Sequence, residues 1–277
     1  MYLVFDTGGT KMRLAFSPDG TSLNDPVIFE TPRQFTDAMS KVEEIVPKLT
    51  AGAKLKGVAG GMPGAMNQDR SVVLNSPNLP GWSNKPLKKE LERITKSKVH
   101  IENDTAMVGL GEVDRGAGCG FGIAVYLTVS TGVGGTRIVD GRIDRSTYGF
   151  EPGWQIINMN GFEAGAEDSP YLEKIISGSA MEKKFGKSPK DIDNPDVWDM
   201  EAKRLAYGLN NVVVMWSPQC IVIGGSMMKD IPLDKTQQYL KEVHHIFPSL
   251  PEIRLAQLGD LGGLYGALAY LNQKPSR

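Results

Sequence analysis

Cysteine, histidine and long apolar runs are scarce in this chain, and each shortage removes a class of function. Only two cysteines, Cys119 and Cys220, occur in 277 residues, alongside three histidines. The two thiols lie too far apart in sequence for a metal-type or redox-type pair, and they give no disulfide framework. Both are expected to be buried free thiols in a reducing compartment. Charge of one sign is not in excess either, with 31 Lys and Arg against 32 Asp and Glu. Such a balance gives no strong nonspecific attraction to nucleic acid or to an anionic membrane. The apolar run at the N-terminus, Tyr2 to Phe5, is closed by Asp6. That is too short for a signal-peptide core or a membrane span. The expectation is a cytoplasmic protein that binds neither nucleic acid nor membrane.

What is present is a core-forming share of apolar residues, 40% of the chain. This suffices for one large domain or two modest ones. Residues 1–5 read as a buried strand, Asp6 to Thr10 as a turn, and Met12, Leu14 and Phe16 alternate as a second strand. Ala38, Val42, Ile45, Val46 and Leu49 share one helical face. Leu55 to Ala59 reads as a strand that runs into Gly60-Gly61-Met62-Pro63-Gly64. Pro86 starts a helix. His100 and Ile101 lie on a strand ending at Asn103-Asp104, which are good caps for a helix from Thr105. Phe121 to Val129 is a further strand, followed by a Gly-rich turn from Ser130 to Thr136. A long helix over 197–216, a strand at Cys220 to Ile223, a helix over 233–245, a strand at Ile253 to Ala256 and a small-residue helix over 262–271 complete the pattern. Residues 161–170 and 189–195 read as loops. Alternating strands and helices indicate an α/β architecture.

Two of the turns resemble each other. Each follows an apolar strand, ends in Gly-Gly-Thr and leads through a basic residue, Lys11 or Arg137, into apolar residues. This weak internal repeat suggests two related lobes, each opened by a β-hairpin. A third Gly-rich turn, Gly224 to Ser226, also follows an apolar strand. Glycine lets backbone N–H groups approach phosphate oxygens, and Thr or Ser hydroxyls add donors. One such turn alone is better explained by a tight hairpin. Neither a P-loop nor a dinucleotide fingerprint is present.

Asp6-Thr7-Gly8-Gly9-Thr10-Lys11 resembles the first phosphate motif of the ROK family of bacterial sugar kinases and repressors. Leu127-Thr128-Val129-Ser130-Thr131-Gly132-Val133-Gly134-Gly135 resembles the second, and Ile221-Val222-Ile223-Gly224-Gly225 the adenosine motif. Gly61-Met62-Pro63-Gly64, Asn78-Leu79-Pro80-Gly81-Trp82, Glu102-Asn103-Asp104-Thr105-Ala106 and the stretch Gly259 to Ala267 match family segments in order.

The resemblance implies an actin-like (ribonuclease H-like) ATPase fold with two lobes around a central cleft. It places lobe one at 1–105 plus 262–277 and lobe two at 106–261. It implies ATP-dependent phosphorylation of a monosaccharide, a hexose such as glucose at its primary hydroxyl. Asp104 would be the general base. Asp6 would orient Mg²⁺ through water. Gly8, Gly9, Thr10, Lys11, Thr131 and Gly132 would contact phosphates, with Gly224 and Gly225 beside the adenosine. Gly64, Asn78, Asn103, Asp104, Glu151 and Glu173 would hold the sugar. A homodimer is implied as well. For Asn103-Asp104, simple helix capping is the competing reading.

The chain departs from the family at one segment. Family members carry Glu-x-Gly-His and then a cysteine-rich zinc loop. Here the segment is Glu151-Pro152-Gly153-Trp154, and no cysteine lies between Glu151 and Glu173. No zinc site is expected. Trp154 either stacks on a sugar ring or fills core in place of the metal. His244-His245, Lys88-Lys89 and Lys183-Lys184 read as surface, and Trp198 and Trp216 as core. The alternatives are a sugar-binding regulatory protein without catalysis and a sugar-responsive repressor. With a strand starting at residue 1, no room is left for a preceding helix-turn-helix, and the enzyme is the expectation.

Overall fold

The computed structural model describes residues 1–76, 78–163 and 168–273. The chain packs into two compact units. One comprises Met1–Cys119, Gly141–Gly149 and the stretch from Gln257 onward; the other comprises Gly120–Asp140 and Phe150–Ala256. The first unit therefore extends beyond the expected boundary at 105.

The first unit opens with β1 (Tyr2–Thr7) and β2 (Lys11–Ser17), then β3 (Val27–Glu30), α1 (Phe35–Thr50), β4 (Gly57–Met62), β5 (Ala65–Met66), β6 (Val73–Asn75), α2 (Leu87–Thr95), β7 (Val99–Asn103) and α3 (Asp104–Arg115). Its main sheet has the order β3-β2-β1-β4-β7, with β1 antiparallel to β2 and parallel to β4. Period-two alternation sends the side chains of β1 to both faces. Leu3 and Phe5 join the core with Phe35, Val42, Leu87 and Leu91, whereas Val4 joins Met107, Leu264 and Leu268. A strand covered on both faces reads as a continuous apolar run, which is why Tyr2 to Phe5 has no polar interruption. The expected strand runs past Ala59: Gly60-Gly61-Met62 is the buried end of β4. A Cβ at Gly60 would collide with the ring and carbonyl of Phe5.

The second unit contains β8 (Ile123–Val129) and β9 (Val133–Val139). After β10 (Arg142–Ile143), which lies in the stretch grouped with the first unit, come α4 (Glu173–Ile176), α5 (Gly178–Phe185), α6 (Pro195–Trp216), β11 (Cys220–Gly224), α7 (Leu233–Val243) and β12 (Glu252–Leu255). The strands β9-β8-β11-β12 repeat the order and sense of β2-β1-β4-β7. The repeat suspected from two turns is thus a repeat of sheet topology. The second turn is tighter than expected, because Gly134, Gly135 and Thr136 already belong to β9.

The last helix, α8 (Gly262–Asn272), belongs to the first unit and packs on α3. The approach is close: a Cβ at Gly266 would strike the Met107 carbonyl, and one at Gly111 the Gly262 carbonyl. Glu112, buried in α3, accepts the N–H groups of Gln257 (2.9 Å) and Leu258 (2.8 Å) and so anchors the approach to α8. This packing is why α3 belongs with the first unit.

Other expectations divide. Trp198 is buried and Trp216 packs partly buried against the same core. Cys220 is buried, but Cys119 is exposed, because it sits just past the end of α3 rather than on a core strand. His244 lies beyond the end of α7 and pairs through Nδ1 with Asn210 Oδ1 at 3.0 Å. Among the described residues, no helix is long and apolar enough to cross a membrane.

Candidate active site

The expected site residues divide between the units. In the first, Asp6 is the sixth residue of the chain and pairs in register with Arg13 on β2 and Gly61 on β4. Gly61 in turn pairs with Glu102 on β7, and Met62 with Asn103. Strand pairing thereby sets Asp6 beside the segment Glu102-Asn103-Asp104. A Cβ at Gly61 would lie 2.8 Å from the Asp104 Cα and 3.5 Å from Asp6 Oδ1. Gly263 of α8 closes on Asp6 from another side, where a Cβ would stand 2.9 Å from the carboxyl carbon.

Among the described residues, Asp6 has one cationic partner, Arg13, at 3.3 Å, and Arg13 also meets Asp260 at 3.0 Å. The carboxyl of Asp6 is pushed up to about 7, first by burial and next by the negative charge of Asp104; Arg13 opposes the rise. Asn103 caps α3 by accepting the Ala106 N–H at 3.2 Å, and Asp104 Oδ1 accepts the Thr105 N–H at 2.8 Å. The capping reading therefore holds for Asn103, with Asp104 as the first residue of the helix, and it coexists with proximity to Asp6. A carboxylate in the first turn is also favoured by the helix dipole.

The first Gly-rich turn spans Gly8 to Thr10. The Gly8 N–H bonds to the Lys11 carbonyl at 2.9 Å, and Thr31 fastens the turn through Oγ1 to the Gly8 carbonyl at 2.8 Å. Thr10 and Lys11 are exposed. A Cβ at Gly9 would lie 2.9 Å from the Asn78 Cβ, so the turn and Asn78 adjoin. Gly64, at φ +103, sits where a Cβ would meet the Asn75 carbonyl and, at 2.9 Å, the Ser76 Cα. Only glycine suits that combination of positive φ and crowding.

In the second unit, the Ser130 N–H bonds to the Gly132 carbonyl at 2.8 Å, and Ser130 Oγ meets Ser226 Oγ at 3.1 Å. The second and third Gly-rich turns are therefore neighbours. Gly225 takes φ +99 directly against the Val129 backbone, and Thr131 accepts the Ser179 N–H at 3.3 Å. Glu173 Oε2 accepts the Val133 N–H at 3.1 Å, while Oε1 meets Lys174 Nζ at 3.0 Å. Glu151 is held above the usual carboxylate range by desolvation and then by the charge of Glu173, so these two carboxyls share one region.

Trp154 does not fill core. It is 48% exposed, edge-on to Tyr171 at 5.3 Å, with Lys174 Nζ 5.0 Å from its ring centroid. Part of the 161–170 loop, residues 164–167, lies outside the described residues. Among the described residues, no group of three or more His, Cys, Asp or Glu side chains is placed to hold a metal.

Three contributors had no role assigned from the sequence: Arg13, and Asp260 and Gly263 within the matching stretch Gly259 to Ala267. Arg13 was legible in principle, because a hairpin turning at Gly8 to Thr10 sets it opposite Asp6. Asp260 and Gly263 come from the far end of the chain, and no local pattern connects them with Asp6.

A family model described as the ROK family matches residues 2–274. Over 307 aligned residues, the chain is 26% identical to a glucokinase of Thermotoga maritima, covering 97% of this chain and 96% of that protein. It is 28% identical over 298 residues to an N-acetyl-D-glucosamine kinase of Escherichia coli O6:H1, covering 96% of this chain and 98% of that one. Among solved structures, a ROK hexokinase from Thermus thermophilus superposes with a TM-score of 0.81 at 28% identity, over 98% of each chain. The chain belongs to the ROK family and has its α/β, actin-like ATPase fold.

Proposed function

We propose that this chain is an ATP-dependent sugar kinase acting on a hexose such as glucose at its primary hydroxyl, with Asp104 as general base. The observation that carries the reading is the pairing of Asp6 and Asp104 around Gly61, beside a Gly-rich turn that adjoins Asn78. Phosphoryl transfer asks for an aligned hydroxyl, a base to accept its proton and charge stabilisation, with little covalent chemistry from the protein. Asp104 supplies the base, and its place at the start of α3 keeps it rigid. Asn103 uses its side-chain carbonyl for the cap, which leaves its NH₂ group to donate to a sugar hydroxyl. Asn78 and the backbone at Gly64 add sugar contacts. Glu151 and Glu173 are acceptors for further hydroxyls. The exposed ring of Trp154 offers an apolar face to a sugar ring. Gly8, Gly9, Thr10, Lys11, Thr131 and Gly132 serve the phosphates, and Gly224 and Gly225 the adenosine.

The residues fit a magnesium ion accompanying ATP. Asp6 is a hard oxygen donor whose buried charge is resisted by Asp104 and only partly offset by Arg13, so a nearby cation would favour its ionised form. Asp6 would hold the ion through water, and when bound the ion neutralises charge on the transferring phosphates. The support from relatives is their naming as glucokinase and N-acetyl-D-glucosamine kinase.

A coupled ADP-release screen with glucose, N-acetylglucosamine, mannose and fructose tests the proposal. Sugar-dependent ADP release is expected, with little ATP hydrolysis in the absence of sugar. Hydrolysis at the same rate with and without every sugar would overturn it.

A further inference from the structure

We infer that Arg70 is a positioning residue for the sugar side of the site, acting through Glu102 on the Asn103-Asp104 segment. This deepens the kinase reading and rests on it for its kinetic consequence.

Arg70 lies in the loop of the β5–β6 hairpin. Asn67 builds that loop almost alone. Its side-chain carbonyl accepts the N–H groups of Ser71 and Val72, both at 2.9 Å, and its backbone carbonyl accepts the Arg70 N–H at 3.0 Å. Arg70 is left at φ +56. For a residue with a Cβ, this left-handed conformation costs about 1 kcal/mol and persists only where the surroundings impose it. The result is a long cationic side chain held on a closed loop.

The guanidinium reaches β7, where Arg70 Nε stands 3.3 Å from Glu102 Oε1. Both side chains are largely withdrawn from solvent, at 20% and 11% exposure. Glu102 is otherwise an awkward residue to bury. Its Oε1 accepts the Asn103 N–H at 3.0 Å, and desolvation raises its proton affinity while Arg70 lowers it. Among the described residues, Tyr270 of α8 feels both charges, and His100 on β7 packs against the Tyr270 ring at 5.7 Å. Arg70 is the cation that offsets the Glu102 charge.

The hairpin is tied to the sugar side at its other end as well. Its base begins at Gly64, crowded against Asn75 and Ser76, and the chain continues from β6 to Asn78, which adjoins Gly9. The Arg70–Glu102 pair therefore ties the loop of this hairpin to the strand end carrying Asn103 and Asp104, in addition to the pairing of Met62 with Asn103. A buried ion pair that loses one member leaves the other charge uncompensated. Glu102 would then relax away from Asn103, or take up a proton.

The test compares Arg70→Ala and Arg70→Lys with wild type, with two readouts. The first needs no ligand: amide hydrogen exchange at Asn103 and Thr105. Arg70→Ala should speed it about tenfold, the scale of losing a charge-assisted contact, and Arg70→Lys should restore most of the protection. The second is kinetic. In Arg70→Ala the KM for the sugar should rise about tenfold while the KM for ATP stays within about twofold, since the residues tied to the pair, Asn103 and Asp104, are the ones assigned to the sugar. A purely structural role would lower the melting temperature without splitting the two KM values. Unchanged exchange at Asn103, equal rises in both KM values, or failure of Arg70→Lys to improve on Arg70→Ala would each overturn the inference. If exchange responds as expected but wild type phosphorylates no sugar, the kinase reading fails and the positioning of Asn103 by Arg70 stands.

Discussion

Asp6 and Asp104 flank a single glycine: a Cβ at Gly61 would lie 2.8 Å from the Asp104 Cα and 3.5 Å from Asp6 Oδ1. Two carboxylates brought this close do not ionise independently, and Asp6 is pushed up to about 7 partly for that reason. Gly61→Ala should force the two strands or the α3 terminus apart. A displacement of about 1 Å at a reacting group can cost about 10²-fold in rate. A fall in kcat of that order, with circular dichroism unchanged, is the expected result.

Asp104→Asn should lower kcat by about 10²–10⁴-fold, the usual contribution of a positioned general base. The KM for ATP should stay near wild type, because the proton to be accepted is on the sugar. A variant that keeps about half of wild-type kcat would fall far outside that range and would dismiss the base assignment.

The ligand-free protein should carry a pH signature of Asp6. Its folded pKa of about 7 stands above the ordinary 3.8. Between these values the folded chain holds a proton that the unfolded chain has released. The associated stability is fully present below the unfolded value and is lost as pH rises through the folded one. Asp6→Asn removes this contribution. With a chelator present, the melting temperature of the variant minus that of wild type should climb from about pH 4 and level off above about pH 7. A difference that stays flat across that window would dismiss the raised pKa.

Trp154→Ala should cost little stability, because the ring is 48% exposed and makes one edge-on contact with Tyr171. Surface substitutions usually fall within about 0.5 kcal/mol. The expected loss is in affinity: a raised KM for the sugar with the melting temperature nearly unchanged. A loss of about 3 kcal/mol would be the behaviour of a buried aromatic instead.

Elemental analysis of purified protein should find no stoichiometric zinc. The stretch between Glu151 and Glu173 has no cysteine to ligate a metal, and Trp154 offers no ligand atom. A strong chelator should abolish activity without changing the melting temperature, and Mg²⁺ alone should restore it. About one tightly held zinc per chain would contradict this, because a structural site needs four protein ligands.

The sequence by itself determined the local features of this protein. Glycine at strand ends marks the turns at Gly8 and Gly225. Asn103 announces the start of α3, and apolar spacing of three and four marks α1 and α6. These signals are legible because the interactions behind them join residues a few positions apart. Only the tertiary structure decided what surrounds Asp6. Arg13 reaches it by hairpin register, Gly61 and Asp104 by parallel pairing, and Asp260 and Gly263 through α8, which returns from the end of the chain to pack on α3. The exposure of Cys119 and Trp154 was settled in the same way. An apolar side chain is buried only if another element arrives to cover it, and which element arrives depends on sheet order and helix packing. Gly60, which the sequence puts just past a strand ending at Ala59, lies inside β4 for the same reason: its missing side chain makes room for Phe5 on the neighbouring strand.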